Sequence, residues 1–197
     1  MGDAAALPDH GVRRATPPAP APDGRRRDRR QLTPQDWLQA FAEIGERIRA
    51  AVAPAAGTEA GRREISTGAG GDRTVELDRL AEEAALQVFE RLHRQGARFS
   101  LLSEELGKRD FGAPLPLVLM DPVDGSVNAK QGIPLYAAML SLCDGPSVGD
   151  VSAGHVLNLV SGECWQAERG GGAWRDGRPI TVLPPARAGR IDVLGLE

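Results

Sequence analysis

Residues 115–128 read Leu-Pro-Leu-Val-Leu-Met-Asp-Pro-Val-Asp-Gly-Ser-Val-Asn. The apolar run Leu115 to Met120 predicts a buried strand that ends at Asp121. Pro122 has a fixed φ and no N–H to donate, so it is expected to stop that strand. Asp121 and Asp124 then fall in a turn at the strand's carboxyl end, the place where open α/β and layered sheets tend to put their chemistry. Two carboxylates three residues apart in a rigid turn suit a hard cation such as Mg²⁺. Gly125 lets a ligand approach the backbone closely. The N–H groups of Gly125, Ser126 and Val127 can open a short helix whose positive end faces a phosphate. Asp-Pro-x-Asp-Gly is also ordinary turn punctuation, and the spacing alone does not separate the two readings.

Two acidic segments upstream add to the first reading. Phe99-Ser100-Leu101-Leu102 reads as a second buried strand, and Ser103-Glu104-Glu105 follows it directly. Alone, Ser-Glu-Glu is a helix start or a solvated turn. Further upstream, Leu77, Ala81, Ala84, Val88 and Leu92 recur at helical spacing, which predicts an amphipathic helix over 75–93. Asp78 lies in its first turns, where a carboxylate also simply complements the helix dipole.

Taken together, Asp-Pro-Val-Asp-Gly-Ser at 121–126, Glu104-Glu105 and Asp78 resemble the inositol monophosphatase superfamily, which includes inositol monophosphatases, archaeal-type fructose-1,6-bisphosphatases and 3′-phosphoadenosine phosphatases. Residues 68–74 are similar to the mobile loop of the archaeal-type members. Residues 128–137 are similar to the continuation past the metal turn, and residues 154–182, with Arg169-Gly170-Gly171-Gly172-Ala173-Trp174 and Asp176-Gly177, to the family's β-meander. The resemblance covers roughly residues 36–197. It implies an α+β layered helix–sheet sandwich, the first half of an α-β-α-β-α fold. It implies Mg²⁺, or Mn²⁺, bound by Glu104, Asp121, the carbonyl of Val123 and Asp124, with Glu105 close by. Asp78 and Ser126 would hydrogen-bond to each other and orient the attacking water, and Gly125 and Ser126 would offer N–H groups to phosphate. The implied substrates are small phosphate monoesters, inositol monophosphate and fructose-1,6-bisphosphate foremost. The flanking loops lean towards the dual-specificity archaeal-type group.

The resemblance also implies a C-terminal half with a third metal aspartate in a Trp-Asp context. Here Trp37, Trp165 and Trp174 are followed by Leu38, Gln166 and Arg175, and residues 191–197 read as the start of that half. Two expectations therefore stand: a Mg²⁺-dependent phosphatase, or a truncated, non-catalytic metal-binding fragment that completes a partner chain. A homo-oligomer or a complementary C-terminal half is the expected protein partner. Val127 stands where many relatives carry a second hydroxyl.

Elsewhere the sequence is plainer. The formal net charge of −3 gives no reason to expect a nucleic-acid partner. No run of 18 apolar residues marks a membrane span. Cys143 and Cys164 sit in no metal spacing and read as reduced core thiols of a cytoplasmic protein, and His10, His93 and His155 form no ligand cluster. Residues 1–33, rich in Pro, Ala and Arg, are expected to be a disordered tail, and 34–190 the metal-binding phosphatase domain. The cluster Arg25-Arg26-Arg27-Asp28-Arg29-Arg30 in that tail leaves a third reading, an anion-binding module. Thr33-Pro34 predicts the N-terminus of a helix with Trp37, Leu38, Phe41, Ile44 and Ile48 on its apolar face, reaching about Ala53. A loop is expected over 54–71, then strands near 99–102, 115–121, 136–143, 151–159, 163–168 and 173–182, with turns at Ser161-Gly162 and Asp176-Gly177.

Overall fold

The structure, a computed structural model, describes residues 31–67 and 73–181. The expectations for the tail through residue 30, for most of the loop at 68–74 and for residues 182–197 fall outside the described residues.

Helix α1 (Pro34–Val52) begins where the sequence places it. Thr33 Oγ accepts the N–H of Asp36, and the Asp36 carboxylate accepts the N–H of Thr33 at 2.9 Å, so two otherwise unpaired helix-end donors are satisfied reciprocally. Trp37, Phe41, Ile44, Ile48 and Val52 are buried along one face. The expected loop that follows is more structured than its composition suggested. It holds a single turn of helix, α2 (Glu59–Arg62), and a strand, β1 (Glu64–Thr67), which pairs with β2 (Arg73–Val75) just beyond it. Helix α3 (Glu76–Arg94) follows and buries Leu77, Ala81, Ala85, Val88, Phe89 and Leu92.

The remaining strands are β3 (Ser100–Ser103), β4 (Gly107–Asp110), β5 (Leu117–Asp124), β6 (Ala137–Cys143), β7 (Val151–Asn158), β8 (Cys164–Glu168), β9 (Gly172–Arg175) and β10 (Arg178–Pro179). A six-residue helix, α4 (Ser126–Gln131), lies between β5 and β6. The eight strands form one sheet in the order β10-β9-β8-β7-β6-β5-β3-β4, antiparallel except where β3 runs parallel to β5. This is the α+β helix-on-sheet architecture expected. Alternate residues of the central strands, among them Val118, Met120, Ala138, Leu140 and Leu157, are buried and share one core with α1 and α3. The opposite alternation leaves Leu102, Met139, Trp165 and Ile180 lining an open apolar concavity of about 900 Å³, with Glu104 and Asp121 also on its lining.

One local expectation is corrected. Pro122 does not end the strand. β5 continues to Asp124, and its register against β6 slips between Asp121, opposite Met139, and Asp124, opposite Ala137. Three steps on one strand face two on the other, so the chain bulges there. A bulge is one of the places where a sheet tolerates a residue without an N–H. The stretch expected over 173–182 forms two strands about the Asp176-Gly177 turn, which lies where the sequence places it and where both residues adopt positive φ (50° and 73°) as a tight hairpin requires.

His155 is buried at 1% exposure between β7 and α1, and its Nε2 has no hydrogen-bond partner. Nδ1 lies 3.2 Å from the Gln166 amide nitrogen, which donates to it when the ring is neutral. Burial disfavours the charged ring and lowers its pKa to about 4. Between about pH 6.5 and 4 the unfolded chain therefore takes up a proton that the folded chain refuses, so the stability held above pH 6.5 is lost as the pH falls towards 4. The expected contribution is about 2–3 kcal/mol. Urea unfolding of wild type and His155→Leu at pH 7.5 and 4.5 checks this: their stability difference should shift in favour of the variant at the lower pH. An unchanged difference would show that the ring protonates in place.

Candidate active site

β3 and β5, parallel neighbours, deliver the acidic residues to one end of the sheet. The backbone N–H of Glu104 donates to the carbonyl of Met120 at 3.2 Å, which ties the residue after β3 to the residue before Asp121. Glu104 and Asp121 therefore emerge side by side from parallel strands, and the Glu104 charge acts on the Asp121 carboxyl. Asp121 Oδ1 accepts the N–H of Val123 at 3.0 Å, closing a local turn across Pro122. Burial is the main cause that pushes the Asp121 carboxyl up to about 7, and the charges of Glu104 and Asp124 add to it. Asp124 is exposed at the end of β5, while Val123 is buried.

Gly125 follows in the left-handed region, with φ of 81°. A Cβ there would stand 3.0 Å from the carbonyl oxygen of Leu135, so both conformation and space favour glycine. Ser126 begins α4 immediately afterwards. Asn128 secures the return of the chain by donating to the Leu135 carbonyl at 2.8 Å. The Gly57 N–H donates to the Ala129 carbonyl at 2.8 Å, and Arg62 donates to the Lys130 carbonyl at 2.9 Å, so the segment before β1 braces the far end of α4.

Asp78 is buried at 2% exposure in the first turn of α3. It accepts the N–H of Val75 at 3.2 Å, the helix-end role that the sequence left open for it. Its second neighbour is the Lys130 ammonium at 3.6 Å. The Asp78 carboxylate thus joins α3 to α4 through Lys130, and in this structure not through a hydrogen bond to Ser126.

Glu104, Asp121 and Asp124 form one group, with Glu104 and Asp121 side by side. Asp78 and Lys130 form a second. Among the described residues no three Asp, Glu, His or Cys side chains are arranged to close around a metal ion. Glu105 has interactions of its own on the turn between β3 and β4. Sequence reasoning missed Lys130 and Glu82. The Glu82 carboxylate accepts the Ser103 hydroxyl at 2.7 Å, and burial raises its pKa. Its spacing of four from Asp78, which puts both on one face of α3, was the available signal.

Known proteins resemble this chain in both sequence and fold. A model of the inositol monophosphatase family matches residues 28–193. A fructose-1,6-bisphosphatase/inositol-1-monophosphatase of Archaeoglobus fulgidus is 32% identical over 148 residues, which is 75% of this chain and 55% of that protein. A bifunctional NADP phosphatase/NAD kinase of Methanococcus maripaludis is 29% identical, over 70% of this chain and 26% of its own length. Among solved structures, a Pyrococcus horikoshii protein described as similar to inositol-1 monophosphatase superposes with a TM-score of 0.62 at 24% identity, covering 79% of this chain and 56% of that one. The chain spans about half the length, or less, of the proteins it matches. Among the described residues no helix is long and apolar enough to cross a membrane.

Proposed function

The chain belongs to the inositol monophosphatase family, and from that premise we propose that it serves divalent-cation-dependent hydrolysis of small phosphate monoesters. The observation that carries this reading is the placement of Glu104 beside Asp121 at the end of adjacent parallel strands. Two carboxylates held together repel each other unless a proton or a cation lies between them. Oxygen donors of this kind suit Mg²⁺ or Mn²⁺, so the donor chemistry of Glu104 and Asp121 fits the ion that the family implies. Glu104, Asp121, the Val123 carbonyl and Asp124 would hold it. When bound, such an ion neutralises phosphoryl charge and lowers the pKa of a coordinated water.

The protein's own groups supply the rest of the reading. The N–H groups of Gly125 and Ser126 face the phosphate oxygens, with Gly125 leaving room for close approach. Asp78 and Ser126 orient the attacking water. Lys130 balances the buried Asp78 carboxylate meanwhile, since an isolated buried charge is costly. The Archaeoglobus relative's name supports fructose-1,6-bisphosphate and inositol-1-phosphate as first substrates. The NADP phosphatase of Methanococcus supports a class no narrower than phosphate monoesters. Free Cys143 and Cys164 support a reducing compartment, the cytoplasm.

A second reading keeps the cation site without turnover, as a unit that acts with a complementary half. The lack of three convergent side chains among the described residues favours it. Steady-state kinetics with each substrate separates the two readings. Turnover is expected, and in it Asp78→Asn and Ser126→Ala should each lower kcat by about a hundredfold with little change in KM, because the pair acts on the nucleophile. A raised KM at unchanged kcat would instead make these residues substrate contacts. Cation binding without phosphate release would select the second reading.

A further inference from the structure

The Glu104–Glu105 segment is a turn of three residues, 104–106, between β3 and β4. Such a turn lies at the sheet's edge, because β4 is the last strand of the order. Edge elements with few buried contacts are the parts of a fold that open most readily. β4 itself, Gly107-Lys108-Arg109-Asp110, buries none of its residues fully. Yet Glu104 must hold its carboxylate against Asp121 if the two are to share a cation. Something outside the hairpin has to fix it.

Glu82 is placed to do so. Its carboxylate accepts the hydroxyl hydrogen of Ser103 at 2.7 Å. Ser103 precedes Glu104, so a carboxylate on α3 grips the turn where it leaves β3. The Glu104 N–H on the Met120 carbonyl, 3.2 Å, is the second anchor and ties the same turn to β5. Glu82 also lies one helical turn beyond Asp78, so α3 carries both the water-orienting carboxylate proposed above and the clamp on the acidic turn. A rigid helix thus sets the distance between the two groups of the site.

We infer that Glu82 is a positioning residue of the site: through Ser103 it holds the Glu104–Glu105 turn of β3–β4 in the geometry that lets Glu104 share a cation with Asp121. The inference rests on the cation-dependent reading given under Proposed function. Outer residues that orient metal-binding groups in this way typically change affinity 10–100-fold when removed.

The test uses the full chain in three forms, wild type, Glu82→Ala and Glu82→Gln. The glutamine keeps an acceptor oxygen for the Ser103 hydroxyl, whereas alanine offers none. Mg²⁺ titration calorimetry should show Glu82→Ala weakened about tenfold or more, and Glu82→Gln within about threefold of wild type. Amide hydrogen exchange in EDTA should show the Glu104 N–H, which donates to Met120, exchanging faster in Glu82→Ala alone, with the amides of α1 unchanged. That second readout needs no metal and separates a loosened turn from a loss of folding. Wild-type heat with equal affinity in all three proteins, and equal protection of the Glu104 amide, would overturn the role of Glu82 and leave the cation reading standing. No heat from the wild type would overturn the cation reading, and the positioning role with it.

Discussion

Asp121→Asn is expected to weaken Mg²⁺ or Mn²⁺ binding by at least about a hundredfold and, in the same protein, to raise the stability of the cation-free chain at neutral pH. The first effect follows from removing one anionic donor of a hard cation and leaving an amide in its place. The second follows from the cost that the native fold imposes on this carboxyl. Burial and the neighbouring charges of Glu104 and Asp124 raise it from the ordinary 3.8 to about 7. Between about pH 4 and pH 7 the unfolded chain has given up a proton that the folded chain still keeps. Stability is therefore lost as the pH rises through that window, and an asparagine has nothing to lose. A bound cation should offset the loss in the wild type and do little for the variant. Titration calorimetry, with urea unfolding in EDTA at pH 5 and 7.5, measures both effects. A variant that binds the cation as well as wild type, or that gains no stability at pH 7.5 relative to pH 5, would show that Glu104 and Asp121 are an ordinary carboxyl pair. The slope has the opposite sign to that of His155, so the two are best read from the separate variants.

Phe99→Ala should have the largest effect on folding, a loss of about 3–5 kcal/mol. Phe99 is fully buried immediately before β3. Its ring stacks on Phe111 at 4.5 Å, meets Trp37 edge-on at 5.1 Å and lies 5.7 Å from Phe89. Trp37 belongs to α1, Phe89 to α3, and Phe111 follows β4. One side chain thus joins both core helices to the edge hairpin that carries Glu104. Truncation leaves a cavity that rigid neighbours on three elements cannot readily fill, and domains of this size have only about 5–15 kcal/mol to lose. Urea unfolding gives the number. A loss below about 1 kcal/mol would mean that the aromatic cluster collapses onto the gap and does not hold α1, α3 and the hairpin together.

The elements legible in the sequence were those whose burial imposes a period. α1 and α3 follow the spacing of Trp37, Phe41, Ile44 and Ile48 and of Leu77, Ala81, Val88 and Leu92, with ends within a residue or two. β5 was legible because the run up to Met120 has no polar interruption, and its extension past Pro122 was not, because the bulge that accommodates the proline depends on β6. β4 went unseen for a different reason. Gly107-Lys108-Arg109-Asp110 has no apolar residue, and its pairing with β3 alone makes it a strand. α2 and β1 are too short for a periodic signal.

The site shows the same division. Asp121, Asp124, Gly125 and Glu104 are recognisable because together they resemble the family's acidic segments, and the structure sets Glu104 and Asp121 side by side. Lys130 and Glu82 act across elements. The Lys130 partner is 52 residues earlier and the Ser103 hydroxyl that Glu82 accepts is 21 residues later, distances at which no local pattern exists. Asp78 was legible as a helix-start carboxylate and as a member of the motif at once. It accepts the Val75 N–H as the first reading requires, and the kinetic comparison with Ser126 tests the second.

The most direct test is release of inorganic phosphate from fructose-1,6-bisphosphate and from inositol-1-phosphate by the full chain, in Mg²⁺, in EDTA, and with Asp121→Asn. The expected result is release in Mg²⁺ that EDTA abolishes and that the variant lacks. No release from either substrate in Mg²⁺, or release that is indifferent to EDTA and to the loss of Asp121, would contradict it.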